Sequence, residues 1–356
     1  MTKILIIGGG AIGSLLAARL GAAGHAITLL DRPQTAAALQ ANGLRLVEAD
    51  GRTIAPPVQI VSAADEAFGR SSFDLAVLAV KAFDTAAAIE PLRPFFPAKT
   101  PLLSVQNGVG NEALLAELLS APILAGSLTT PVEVLAPGHV QVARASHRFA
   151  VAPWRGGGRP EQVAALFAGA GFTVQTFDDG PALKWTKLLM NMLANAQAAI
   201  LGMTPAQVFA QPSLGTLEVL AWREALAVMR ALGITAVPLA GYPMALIGRL
   251  VRRLPVGLVR PFMGRFIAGG RGSKPPSLVY DLQPQPRGRS EVAWLNGAVA
   301  AKGRELGLPT PINTVFTQVL LDLVQGCTAV DHWWGRQDRL LAAVKEAEGT
   351  RGTYGN

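Results

Sequence analysis

One hexapeptide near the N-terminus constrains the fold more than any other part of the chain: Gly8-Gly9-Gly10-Ala11-Ile12-Gly13. It follows the apolar run at residues 3–7 and precedes a stretch of helical composition, residues 11–23, that Gly24 stops. A strand that turns through glycines straight into a helix opens a βαβ unit. In such a turn Gly8 permits the tight bend and Gly10 lets a pyrophosphate approach the backbone. Gly13 lets the helix lie close to the strand. The first N–H groups of the helix and the positive end of its dipole then favour phosphate. The six residues together predict a dinucleotide-binding loop.

The rest of the first half fits that reading. Residues 26–30, 74–80 and 101–105 are further apolar strands, with shorter candidates at 123–126 and 149–152. Strands that are apolar throughout, separated by helical segments, predict a parallel sheet covered on both faces. The second half shows helical patterns at residues 181–202, 218–232, 291–306 and 314–325, and no convincing strand. The expected fold is an α/β, doubly wound parallel sheet followed by an all-α domain. Expected boundaries are 1–178 for the dinucleotide-binding domain, 179–345 for the helical domain, and 346–356 for a disordered tail.

Charge divides the chain in the same place. Residues 1–178 hold 13 Lys and Arg against 13 Asp and Glu, whereas residues 179–356 hold 19 against 11. An excess of cations suits an anionic ligand, but no nucleic-acid motif accompanies it, so nucleic acid is not an expected partner. Residues 249–289 carry nine Lys or Arg and one acid, Asp281, with apolar residues interleaved. They read as a solvated helical insertion with a flexible tail, or as a surface that docks an anionic ligand, partner or membrane. The lone Cys327 permits no internal disulfide, and no apolar run reads as a membrane span. A cytoplasmic protein is expected.

Several polar residues sit where chemistry is expected. Asp31-Arg32 ends the second strand; the acid there would take a ribose 2′-OH and select NAD, and the arginine would take the 2′-phosphate of NADP. Lys81 and Asn107 follow the third and fourth strands, at the carboxyl edge where such sheets bind ligands. Each is also readable as an ordinary loop residue. Lys187, Asn191 and Asn195 recur every four residues, which predicts one polar face on a continuous helix. That face is either a substrate-binding stripe with a proton donor or a hydrogen-bonded structural seam. Ser277, Asp281, Ser290 and Glu291 come later, as pocket residues or as helix caps. The four histidines show no metal spacing, and no G-x-S-x-G is present, so neither a metal nor a serine nucleophile is expected.

In their joint order these pieces resemble the ketopantoate reductase family. They are Gly8-x-Gly10-x-x-Gly13, Val80-Lys81, Gln106-Asn107-Gly108, Lys187-x-x-x-Asn191-x-x-x-Asn195, Pro276-Ser277-x-x-x-Asp281, and Ser290-Glu291 with Leu295-Asn296-Gly297. The resemblance implies a Rossmann domain and a helical domain like that of 6-phosphogluconate dehydrogenases. It implies NADPH-dependent reduction of 2-dehydropantoate to (R)-pantoate, in pantothenate synthesis. Lys187 is then the general acid and Glu291 the acid that holds the substrate hydroxyl. Asn107, Asn191, Asn195 and Ser277 bind substrate. Arg32, Lys81 and Asn107 join the glycine loop on NADP. A family member acting on another 2-keto or 2-hydroxy acid is the first alternative, and a non-catalytic dinucleotide sensor or scaffold the second. A small keto acid is the expected partner, with a homodimer left open.

Overall fold

Alternate residues of the first strand explain the central sheet. In β1 (Lys3–Ile7), Ile4 and Ile6 enter one apolar cluster while Leu5 and Ile7 enter another. Both faces are therefore buried, which is why the strand is apolar without alternation. The computed structural model describes residues 1–69, 72–156, 158–270 and 275–349. Its further strands are β2 (Ala26–Leu30), β3 (Arg45–Val47), β4 (Thr53–Ile54), β5 (Gln59–Val61), β6 (Leu75–Leu78), β7 (Leu102–Ser104), β8 (Ile123–Leu128), β9 (Val132–Ala136), β10 (His139–Val142), β11 (Arg148–Arg155) and β12 (Thr173–Thr176). The first helices are α1 (Ala11–Ala22), α2 (Pro33–Asn42), α3 (Ala64–Phe68), α4 (Thr85–Ile89), α5 (Asn111–Leu118) and α6 (Pro160–Gly169).

The main sheet runs β12-β11-β8-β7-β6-β1-β2-β5. Helices α1 and α6 supply the cluster on one face, through Leu15, Leu16 and Phe167. Helices α4 and α5 supply the other, through Ile89 and Leu115. From β5 to β8 every neighbouring pair is parallel. The strand order reverses between β1 and β6, the switch point at which open α/β sheets bind their ligands.

The sheet is mostly parallel, as the sequence predicts, with one antiparallel pair that it does not predict. Strand β11 runs antiparallel to β8. The residues joining them form the β9–β10 hairpin and hold no crossover helix, and a parallel return requires such a crossover. A second sheet, β4-β3-β10-β9, also escaped the sequence reading. Its strands are two to five residues long and partly exposed, so they carry no apolar run.

The second half is helical: α7 (Gly180–Met192), α8 (Ala196–Leu201), α9 (Pro205–Ala210), α10 (Pro212–Ala231), α11 (Met244–Arg253), α12 (Val256–Gly270), α13 (Asn296–Glu305), α14 (Pro311–Val324) and α15 (Gln337–Gly349). Among the described residues only an isolated bridge, Leu239 to Tyr242, is strand-like. The core forms around Trp222 of α10 with Leu214, Ala225, Phe316 and Leu320. Helix α15 continues through Gly349, so residues 346–349 are helical where a disordered tail was expected; residues 350–356 lie outside the described residues. Residues 271–274, which follow α12, are likewise outside.

The chain packs as two units, Met1–Gln106 with Gly110–Lys184, and Asn107–Val109 with Trp185 onward. The division falls six residues later than the expected 178/179. The first turn of α7 belongs to the sheet unit because Lys184 is buried there against Glu112. The short piece Asn107–Val109 belongs to the helical unit, a change that no composition shift announces.

Candidate active site

The glycine loop has the geometry that its spacing implies. Gly8 takes φ +104°, and a Cβ there would lie 2.7 Å from Val80 Cγ1. A Cβ on Gly13 would lie 1.7 Å from the Gly8 carbonyl oxygen, so helix and strand touch backbone to backbone. Gly10 is the opposite case. It precedes α1 with no protein atom within 4 Å of its Cβ position, and the first turn of the helix begins beside it. Bare backbone before a helix N-terminus fits a pyrophosphate. The Ser14 hydroxyl donates to the Gly9 carbonyl (2.9 Å) and holds the turn.

The acid and the arginine after β2 are arranged differently from each other. Asp31 Oδ2 accepts from the Gly9 amide (2.6 Å), and its Oδ1 accepts from the Arg32 amide (2.7 Å). The carboxylate thus braces the glycine loop with both oxygens. Arg32 is exposed, one residue before Pro33 opens α2. Lys81 is exposed just after β6 and precedes the short 3-10 turn Ala82–Asp84.

A buried lattice beneath these loops was not singled out from the sequence. The Gln106 side chain donates to the Val80 carbonyl (2.9 Å) and to the Thr85 hydroxyl (2.8 Å), tying the ends of β6 and β7 together. Lys184 donates to the Gln106 carbonyl and pairs with Glu112 at 2.9 Å, with both side chains buried. Removing one partner would strand a charge in the interior, at a cost of about 3–5 kcal/mol. The sequence offers Gln106, within Gln106-Asn107-Gly108, and a lysine in an apolar run one turn before Lys187, without the contact between them.

The helical unit gathers the amides. Asn191 donates to the Asn107 side-chain oxygen (3.0 Å). Gly108 takes φ +82°, and a Cβ there would lie 2.5 Å from the Trp294 carbonyl oxygen, so only glycine fits; the Val109 amide then donates to that same carbonyl (3.1 Å). Asn195 Nδ2 lies 3.0 Å from the Ser277 hydroxyl, and its Oδ1 accepts from the Leu278 amide (3.2 Å). Lys187 is buried one helical turn before Asn191 on the same face of α7. Glu291 is buried in the turn Glu291–Trp294. Ser290 caps that turn by accepting from the Val292 amide (3.1 Å), and it donates to Asp281 (2.8 Å) at the end of the Ser277–Asp281 turn.

The predicted continuous helical face needs correction. Helix α7 stops at Met192, Ala194 adopts φ +48°, and α8 starts at Ala196. Lys187 and Asn191 share a face, whereas Asn195 stands beyond the break. Two contacts stabilise the interruption. Glu218 of α10 accepts the Ala194 amide (2.7 Å), and Asn195 Nδ2 donates to the Asn191 carbonyl (3.0 Å), satisfying an acceptor that a broken helix leaves over. Nothing in the local sequence, rich in Leu, Met and Ala, marks that break. Similarly, the expected helix at 291–306 is a 3-10 turn, a bend at Leu295, and then α13.

Behind this set lies one strongly shifted acid. Glu224 accepts from the Ile312 and Asn313 amides (2.9 and 3.0 Å) and from the Asn313 side chain (2.6 Å), capping α14. Burial pushes its carboxyl up to about 7, against the lowering effect of those donors. Asn313 in turn accepts from Asn296 (2.9 Å), which begins α13.

Comparison with known proteins identifies the family. Residues 4–156 match the model of the ketopantoate reductase PanE/ApbA family, and residues 181–324 match the model of its C-terminal domain. The chain is 31% identical to the 2-dehydropantoate 2-reductase of Mesorhizobium japonicum, over 91% of this chain and 99% of that one. It is 29% identical to the crystal structure of a PanE/ApbA family ketopantoate reductase from Ralstonia eutropha JMP134, with a TM-score of 0.76 over 91% of this chain and 99% of that one. A D-mandelate dehydrogenase solved with NADH and anilino(oxo)acetate shares the fold, at TM-score 0.76 and 20% identity over 91% and 98% of the two chains. The chain belongs to the ketopantoate reductase family, a family of dinucleotide-dependent oxidoreductases.

Proposed function

We propose that this protein is a cytoplasmic enzyme that reduces 2-dehydropantoate to (R)-pantoate at the expense of NADPH, a step of pantothenate synthesis. The observation that carries this reading is the linked set Asn107–Asn191–Asn195–Ser277, with the buried Lys187 one turn from Asn191. Hydrogen-bonding side chains that hold one another in place are what orients a substrate carrying a carboxylate, a ketone and a hydroxyl. The names of the relatives support the same reaction.

When bound, the reduced nicotinamide supplies the hydride that the keto carbon accepts. Negative charge then builds on the carbonyl oxygen. Lys187 stabilises that charge as an ammonium and gives the oxygen its proton, so the ketone becomes an alcohol. Glu291 holds the substrate hydroxyl, and Asn107, Asn191, Asn195 and Ser277 fix the carboxylate and the chain. The glycine loop, from Gly8 to Gly13, holds the pyrophosphate through bare backbone. Lys81 adds positive charge for the cofactor.

Selection of NADPH rests on Arg32. With both Asp31 oxygens engaged by backbone amides, the exposed guanidinium is the group suited to a 2′-phosphate, which it grips bidentately. The test is the initial rate of nucleotide oxidation by the purified protein with 2-dehydropantoate, NADPH against NADH. The expected result is fast oxidation that favours NADPH. Tight NADPH binding without oxidation would retain the cofactor and move the reaction to another 2-keto acid.

A further inference from the structure

Between Glu224 and Asp281 the sequence holds no acidic residue at all. The middle of that stretch folds into α11 and α12, two helices whose inner faces are already used. Met244, Ile247 and Val251 of α11, and Val259 and Met263 of α12, are buried in the helical core. The Arg223 guanidinium, from α10, donates to the carbonyls of Val251 and Leu254 and fastens the joint between the two helices.

The outer faces are therefore open, and they are not polar. Leu246, Leu250, Leu254, Leu258 and Phe262 recur every four residues and are all exposed, Leu258 at 63% and Phe262 at 50%. Single exposed leucines are ordinary; five large apolar side chains exposed close together, Leu246 and Leu250 on α11, Leu254 at the joint, and Leu258 and Phe262 on α12, are a binding feature. Arg249, Arg252, Arg253 and Arg265 lie exposed on the same two helices. Every cation in α11 and α12 is an arginine, the side chain that pairs with phosphate in a planar fork.

We propose that the outer face of α11 and α12 docks on a bilayer rich in anionic phospholipid. The leucines and Phe262 enter the headgroup and acyl boundary, and the arginines meet the lipid phosphates, as on other interfacial helices. No helix among the described residues is long and apolar enough to cross a membrane, so the attachment is peripheral. Charge favours a bilayer over a second copy. A two-fold interface would set this patch against itself, arginine facing arginine, with no carboxylate in the stretch to neutralise it.

Flotation of the full-length protein with vesicles tests the proposal. One set is phosphatidylcholine alone and the other contains about 30% phosphatidylglycerol, a composition that gives a strongly negative surface. The expected result is co-flotation with the anionic vesicles alone, weakened by salt. Leu258→Glu and Phe262→Glu should abolish it with an unchanged thermal midpoint, and Arg252→Gln should weaken it roughly fivefold. Absence of flotation overturns the proposal. Flotation that ignores vesicle charge or survives both glutamates also overturns it. So does sedimentation as a dimer that Leu258→Glu splits, without vesicle binding, since the patch would then be a contact between copies.

Discussion

The two sets of residues proposed to bind ligands are built in opposite ways. The glycine loop is made of backbone, and its shape depends on atoms that are missing. The amide set of the helical unit is made of side chains from segments far apart in the chain, and its shape depends on atoms that are present. A backbone site can be read from spacing, because the absence of a Cβ has the same meaning wherever it is found. A side-chain site can be read only as a list of residues, because its geometry is decided by contacts that the sequence does not display.

That difference can be broken by mutation. The largest expected effect is on the side-chain set: Lys187→Ala should lower kcat about 10²–10⁴-fold, while NADPH binding followed by fluorescence stays near its original strength. Unchanged turnover would remove Lys187 from the acid role. In the backbone set, the same substitution should act differently at two glycines. Gly13→Ala drives a methyl into the Gly8 carbonyl and should cost about 3 kcal/mol or more of unfolding stability. Gly10→Ala meets no protein atom and should leave stability unchanged while weakening dinucleotide binding. Equal melting temperatures for the two variants would refute the division of labour between them.

Smaller effects sharpen the comparison. Arg32→Ala should weaken NADPH roughly tenfold or more and leave NADH almost untouched, since it removes a charge-assisted phosphate contact. Equal losses for both nucleotides would make Asp31 the selector instead. The effect at Glu224 falls on stability and not on binding. Its folded carboxyl sits near 7, above the ordinary value, so the folded state holds a proton that the unfolded chain gives up. Stability should therefore rise as pH falls from about 7 toward 4.5, and be lost as pH rises back through 7, by up to about 3 kcal/mol. Glu224→Gln should flatten that slope in urea titrations; an unchanged slope would assign it to other groups.

How far the sequence could be read follows the same line. Strands β1, β2 and β6, helix α1, the tight turn at Gly8 and the close helix–strand approach at Gly13 were legible because each rests on a local pattern. The β9–β10 hairpin was not, because short half-exposed strands give no periodic signal; β11 was legible as a strand but not its antiparallel direction, which follows from the missing crossover helix. Lys187, Asn191, Asn195, Ser277, Asp281, Ser290 and Glu291 of the helical unit were legible as polar positions in the sequence, yet their arrangement was not. Asn195 was placed on an unbroken helix with Lys187, although Glu218, 24 residues away, holds the chain open at Ala194. The Lys184–Glu112 pair was overlooked because a lysine in an apolar run reads alike whether its partner is a buried carboxylate or water.

The central claim is that hydride reaches the keto carbon of 2-dehydropantoate. Incubation with NADPH deuterated at the transferring position, followed by mass spectrometry of the product, tests it directly. The account predicts pantoate carrying one deuterium at carbon 2, formed by the native protein and almost absent with Lys187→Ala. Unlabelled product, or no product from a protein that binds NADPH, would contradict it.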